Sequence, residues 1–408
     1  MIAVSFVNKY KDLLKSCFYI QSESNKKENG FITIDTEFVR RDTYFPVLSL
    51  IQVAIQNESG RKAFIFDITS FSDEELNPLL GILVSPQITK VFHSARQDCE
   101  ALLHKFGTLP SPIFDTQIAY GLLKVERVIG YEAIVKAVLN VNVNKEYQTS
   151  KWLERPLSAE QIRYAAYDVI YLIDVYEAIL LELKRKGREE WARKESCVFI
   201  DRELYEVDAL SLWKKMPVCA RQWKEAVALK YLLAWREEKA IAINKPKGHL
   251  ISDQSLFDIC LNRKKELSTS DIVKSISKYS KRISMKIIME YDLVPSIKNV
   301  LKQVNLLLAQ MGESQITNIK NEIDSIGMNR RDDNMHQLKL LLNKICKKCA
   351  EKHGVSAWLF APKAEVKLLI HGFFKTKNLW LTKSKLSIGW RKGLLKPFEE
   401  QIYDLLKG

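Results

Sequence analysis

Phe31-Ile32-Thr33-Ile34-Asp35-Thr36-Glu37-Phe38 is aromatic and β-branched and follows the breaker pair Asn29-Gly30, so it reads as a strand. Two acids interrupt it. Asp35 and Glu37 stand two positions apart and therefore project from one face. Side by side on an otherwise apolar strand, two carboxylates repel and are poorly solvated unless a cation sits between them. The alternative is an exposed edge face with incidental acids. Phe31, Ile32, Ile34 and Phe38 give the strand a central character, which favours the cation.

Outward from this strand, Leu48 to Ile55 and Ala63 to Asp67 read as two more, joined by the polar turn Asn57-Glu58-Ser59-Gly60. Asp73 to Leu83 follows as a helix, Lys90 to His93 as a short strand and Ala95 to Phe106 as another helix. From about Glu160, Ile162, Ala165, Ala166, Val169, Leu172, Ile173 and Tyr176 recur at helical spacing, and Ser158 with Gln161 gives the capping-box signature. Strands followed by strand–helix alternation predict an α/β domain with a mixed sheet. Beyond Lys194 only helices with short basic or polar connectors are legible, so a break near residues 196–210 separates the α/β domain from an all-α half.

A chain of 408 residues exceeds what one hydrophobic core usually organises, so two or three domains are expected. Charge divides along the same boundary: residues 1–200 carry 25 Lys and Arg against 26 Asp and Glu, and residues 201–408 carry 38 against 23. A near-neutral half beside one of net +15 is the pattern of chemistry in one part and a polyanion held by the other, with a solvated basic surface as the alternative. Seven scattered cysteines, an odd number, read as free thiols of a reducing compartment. Cys346 and Cys349 form a CxxC with His353 beyond it, but no fourth zinc ligand completes the set, so they read as helical cysteines. No apolar run reaches the roughly 18 residues of a membrane span. The stretch from Met1 to Ser16 lacks a basic leader and a cleavage pattern, so no signal peptide is read and a cytoplasmic location is expected.

Two further acids join the first pair. Tyr164 and Asp168 stand at i and i+4 and share a helix face, where Asp168 interrupts an apolar stripe and needs a buried partner. Asp98 falls at a helix start and on its own reads as a cap favoured by the helix dipole. Four carboxylates from separate elements fit the oxygen ligation of Mg²⁺ or Mn²⁺. Two such ions about 4 Å apart can activate water and neutralise a leaving oxygen.

Asp35-Thr36-Glu37, His93-Ser94-Ala95-Arg96-Gln97-Asp98 and Tyr164-Ala165-Ala166-Tyr167-Asp168 resemble the three exonuclease motifs of the DEDD superfamily in its tyrosine-bearing branch. Over residues 28–190 the chain is similar to the ribonuclease D family, as in Asp35–Arg40, Phe114–Gln117 and Trp152–Leu157. The resemblance implies an RNase H-like, DnaQ-like exonuclease domain over 1–195 with a mixed sheet flanked by helices. It also implies roles: Asp35, Glu37 and Asp168 on the metal that activates water, Asp35 bridging to a second metal completed by Asp98, and Tyr164 orienting the water. Phe38 and Arg40 would meet the terminal base and a phosphate, with core packing the alternative for Phe38. His93 is a further substrate-side candidate, though at a strand end it also reads as a hydrogen-bonded structural residue, and Asp115 either braces the metal shell or caps a helix. Two departures bear on substrate fit: Ala95-Arg96 replaces a glycine-containing turn, and Lys151 an acidic residue.

Leu232 to Ala240, Pro246-Lys247-Gly248 and Ser252 to Leu256 resemble a helicase-and-RNase-D C-terminal (HRDC) domain over 210–290, with Trp235 on its apolar stripe. A diverged second copy is expected over 295–408, where Gly389-Trp390-Arg391 resembles the ending of ribonuclease D chains. The expected activity is 3′→5′ exoribonuclease trimming of RNA, tRNA precursors in particular, to 5′-mononucleotides with two Mg²⁺ or Mn²⁺ ions, by a monomer. A DNA 3′→5′ exonuclease and an inactive nucleic-acid-binding protein are the alternatives.

Overall fold

The computed structural model describes residues 2–26, 30–143, 146–215, 222–263, 267–280, 283–331 and 333–407, so Asn29 of the breaker pair lies outside the described residues. Six strands form one mixed sheet: β1 (Ile2–Val7), β2 (Phe31–Val39), β3 (Val47–Asn57), β4 (Gly60–Asp67), β5 (Thr89–Phe92) and β6 (Ile113–Asp115), ordered β1-β4-β3-β2-β5-β6. β2, β3 and β4 are successively antiparallel, while β1 adds parallel to β4 and β5 and β6 add parallel beyond β2. The apolar β2 therefore has a bonded strand on each side. Gly60, at φ +118°, closes the β3–β4 turn in a region that glycine enters without strain.

Helices α1 (Tyr10–Asn25), α2 (Asn77–Val84), α3 (Arg96–Phe106), α4 (Thr116–Gly121), α5 (Tyr131–Leu139), α6 (Ala159–Arg185) and α7 (Glu189–Ser196) accompany the sheet. β1, α1 and β6 went unread in the sequence: β6 is three residues long, too short for periodicity to register. The helix expected from Asp73 starts at Asn77, with Pro78 in its first turn, where a missing N–H costs nothing.

α6 begins at the capping box, with Gln161 N–H donating to Ser158 Oγ at 3.2 Å and Ser158 N–H to Gln161 Oε1 at 2.9 Å. Its stripe of Ala165, Ala166, Val169, Ile170 and Ile173 packs with Leu50, Ala54, Ala63 and Ile65 of the sheet. Thr33 Oγ1 donates to Val169 O at 2.7 Å, tying β2 to the middle of the helix. The segment leading into α6 is clamped as well. Arg155 forks the buried Asp67 carboxylate, with Nε to Oδ2 at 2.7 Å and Nη2 to Oδ1 at 2.6 Å. Burial raises the Asp67 carboxyl, but these bonds outweigh it and hold it below the ordinary range.

The chain falls into two compact units: Met1–Val39, Pro46–Tyr205 and His336–Gly408 in one, Arg40–Phe45 and Glu206–Met335 in the other. The segment 295–408 is thus divided between them. In the first unit the C-terminal helices are fastened through Glu195, whose carboxylate accepts from Trp390 Nε1 and Arg391 Nη2 at 2.9 Å each, while Trp390 stacks on Trp191. The Ser356 amide also donates to Gly121 O at 2.7 Å. The second unit is helical in its described residues. Its core gathers around α8 (Trp223–Ala242), where Leu229, Leu232 and Leu233 are buried and Trp235 packs against them half-buried. No helix among the described residues is long and apolar enough to cross a membrane.

Arg155→Met would leave the Asp67 carboxylate buried without its partner. Urea unfolding is expected to show a loss of about 3 kcal/mol, with part recovered in the Arg155→Met, Asp67→Leu double variant. Full stability in the single variant would contradict the clamp.

Candidate active site

Asp35 and Glu37 lie on the face of β2 that α6 covers, and α6 brings Asp168 to them. One carboxylate oxygen from each of Asp35, Glu37 and Asp168 lies within 4.8 Å of the others. After Glu37 the β2–β3 register shifts, a bulge that re-aims the strand just past its second acid. Asp98 is buried in the first turn of α3, outside this trio, and its Oδ1 accepts from the Thr36 hydroxyl at 2.6 Å. It also accepts from its own backbone N–H within that first turn, although the helix has no side-chain cap.

Burial dominates the electrostatics. It pushes the Asp35 carboxyl up to about 6. Burial, then the Asp35 charge, raises Asp98 and Asp168 well above the usual carboxylate range. Glu37 is raised by burial, then by Asp35, Asp168 and Asp98. Among the described residues no lysine or arginine forms an ion pair with any of the four. A crowded all-oxygen donor set, with Asp168 buried and Asp35 and Glu37 half-buried, and without a paired cationic side chain among the described residues, fits a hard divalent cation.

Tyr164 donates its hydroxyl to Asp168. Burial, then the nearby carboxylates, keep that hydroxyl protonated far above neutrality, so it serves as a donor and not as a base. Its ring lies 6.1 Å from Trp152 and 6.3 Å from Tyr147. Tyr131, which the sequence did not mark, donates its hydroxyl to Tyr167 O at 2.9 Å, fixing the backbone just before Asp168. Its only sequence signal is its place after Gly130 at the start of α5.

The remaining candidates fall elsewhere. His93 Nε2 donates to Ile129 O at 3.1 Å and Nδ1 lies 3.0 Å from Thr116 Oγ1, so both ring nitrogens are engaged internally. Burial lowers its pKa, which makes the neutral ring the resting form. Phe38 is half-buried just past the bulge, and Arg40 is exposed in a segment of the second compact unit. Asp115 is fully buried: Oδ1 caps α4 through the amides of Gln117 and Ile118 at 2.8 and 3.0 Å, and Oδ2 accepts from the Ala95 amide at 2.7 Å. It braces the head of the helix that carries Asp98. Cys349 donates to Leu394 O at 3.1 Å. Among the described residues the Asp35, Glu37 and Asp168 trio is the group close enough to hold a metal, so the CxxC forms no such site. Lys151 is exposed and paired with Glu154 at 2.8 Å.

A 3′–5′ exonuclease family matches residues 11–184. Ribonuclease D of Bartonella henselae is 31% identical over 94% of this chain and 86% of its own length. Ribonuclease D of Gluconacetobacter diazotrophicus is 36% identical over 62% of this chain and 63% of its own. Among solved structures, Escherichia coli RNase D, an exoribonuclease involved in structured RNA processing, superposes with a TM-score of 0.76 at 22% identity, over 99% of this chain and 98% of that one. This last likeness shows the shared fold.

Raised carboxyl pKa values make the folded protein bind more protons than the unfolded chain between the ordinary carboxylate pKa and about 6, so their contribution to stability is lost as pH rises through that window. In EDTA, Asp35→Asn is expected to gain on wild type between pH 4 and 7, by on the order of 2 kcal/mol in urea titrations. A constant difference across that range would refute the buried-acid reading. Ser94 occupies the left-handed region, φ +66°, in the turn between β5 and α3. Ser94→Gly should therefore raise stability by about 0.5–1 kcal/mol, read as a higher urea midpoint.

Proposed function

The chain belongs to the ribonuclease D family of 3′→5′ exoribonucleases, and from that membership we propose that it trims the 3′ ends of structured RNA, tRNA precursors foremost, at the Asp35, Glu37, Asp98 and Asp168 cluster. The observation that carries this reading is the trio of crowded, unneutralised carboxylates beside the Tyr164 hydroxyl.

Asp35, Glu37 and Asp168 would hold one divalent cation, and Asp35 with Asp98 a second. Two Mg²⁺ or Mn²⁺ ions, when bound, supply Lewis-acid neutralisation of charge at the scissile phosphate and lower the pKa of water. Tyr164, whose hydroxyl proton is donated to Asp168, would orient the attacking water by accepting from it on the phenol oxygen. The water oxygen would bond to the last phosphodiester phosphorus and give up a proton, the bond to the 3′ oxygen would break and that oxygen take up a proton, so that a 5′-mononucleotide and a new 3′-hydroxyl end result. Phe38 stacking on the last base and Arg40 on a phosphate would seat the 3′ end, with His93 shaping the wall as a neutral ring. The basic residues of 201–408, net +15, would grip phosphates without regard to sequence, through an HRDC domain over 210–290 and a diverged one over 295–408. The protein acts as a monomer in the cytoplasm, where its thiols stay reduced.

The test is shortening of 3′-extended tRNA and of single-stranded DNA in Mg²⁺, Mn²⁺ or EDTA. Asp35→Asn and Asp168→Asn are expected to lower kcat by about a thousandfold, the several kcal/mol a metal supplies, and Tyr164→Phe by about 10–100-fold. Rates that survive EDTA would remove the metal reading, and equal rates on DNA would remove the RNA preference.

A further inference from the structure

Gln52 is fully buried on β3, and neither its amide oxygen nor its amide nitrogen has a hydrogen-bond partner. An orphaned buried amide is destabilising, and a leucine would fill the same space without that penalty. Such a group in a folded core calls for a partner. Its position identifies one. Gln52 stands directly across from Asp35 on β2 and from Ile65 on β4, and Leu50 and Ala54 flank it along the same face of β3. Directly opposed residues project from one face with Cβ atoms about 4.5–5.5 Å apart. Of these four neighbours, only Asp35 carries a polar side chain, and Asp35 is a member of the carboxylate trio.

We propose that Gln52 is a positioning residue of the metal centre: its amide N–H donates to the Asp35 carboxylate through one buried water and fixes that carboxylate in its cation-binding orientation. The proposal rests on the reading of the cluster as a metal site. Carboxylates that ligate metals are commonly held by such outer hydrogen bonds, and losing one weakens metal binding about 10–100-fold.

The test uses the full chain, with Mn²⁺ titrated calorimetrically into wild type and Gln52→Leu, and both unfolded by urea in EDTA. Gln52→Leu is expected to bind Mn²⁺ about 10–100-fold more weakly, to be at least as stable as wild type in EDTA, and to regain kcat as Mn²⁺ is raised. Gln52→Met, which keeps the length and lacks the donor, gives the same comparison if the leucine variant does not fold. Unchanged Mn²⁺ affinity, with or without loss of stability, overturns the role of Gln52 and leaves the metal site standing. Wild type that binds no Mn²⁺ overturns both.

Discussion

Four carboxyl groups are forced into one poorly solvated place, and the surrounding structure is arranged to keep them there. Burial pushes Asp35 up to about 6, and burial followed by the charge of neighbouring carboxylates raises Glu37, Asp98 and Asp168 well above the ordinary range. Left to themselves these groups favour unfolding once they ionise. What opposes them is apolar: the β2–β4 face sealed by Ala165, Ala166, Val169, Ile170 and Ile173 of α6. The site is therefore a local liability supported by a global core, a frequent condition of sites built to bind something the free protein lacks.

Support reaches the acids through individual hydrogen bonds from residues distant in the chain. Thr36 holds Asp98, Asp115 holds the Ala95 amide at the head of α3, and Tyr131 holds the carbonyl before Asp168. Arg155 fixes the entry to α6 by clamping Asp67 at the end of β4. The Trp152–Leu157 stretch, which entered as a mark of family likeness, thus has a mechanical reason to be what it is. The same holds at the other end of the chain, where Trp390 and Arg391 close on Glu195 and make the C-terminal helices part of the catalytic unit.

The division of charge follows from the same constraint. Acids that gather cations repel phosphates, and the 1–200 half has no net positive charge to offset them. The whole basic excess, net +15, falls in residues 201–408.

What the sequence by itself determined is whatever local periodicity controls. A period of two put Asp35 and Glu37 on one face, i,i+4 spacing put Tyr164 with Asp168, and Ser158 with Gln161 marked the start of α6, because each depends on neighbours a few residues apart. Asp98 looked like a cap, and Tyr131 like nothing in particular. Their meaning comes from partners far along the chain: Thr36 lies 62 residues before Asp98, Asp67 lies 88 before Arg155, and Tyr167 lies 36 after Tyr131. Only the packing of α3 and α6 on the sheet decides those meetings, since burial and cross-strand register are properties of the folded surface and leave no period in the sequence.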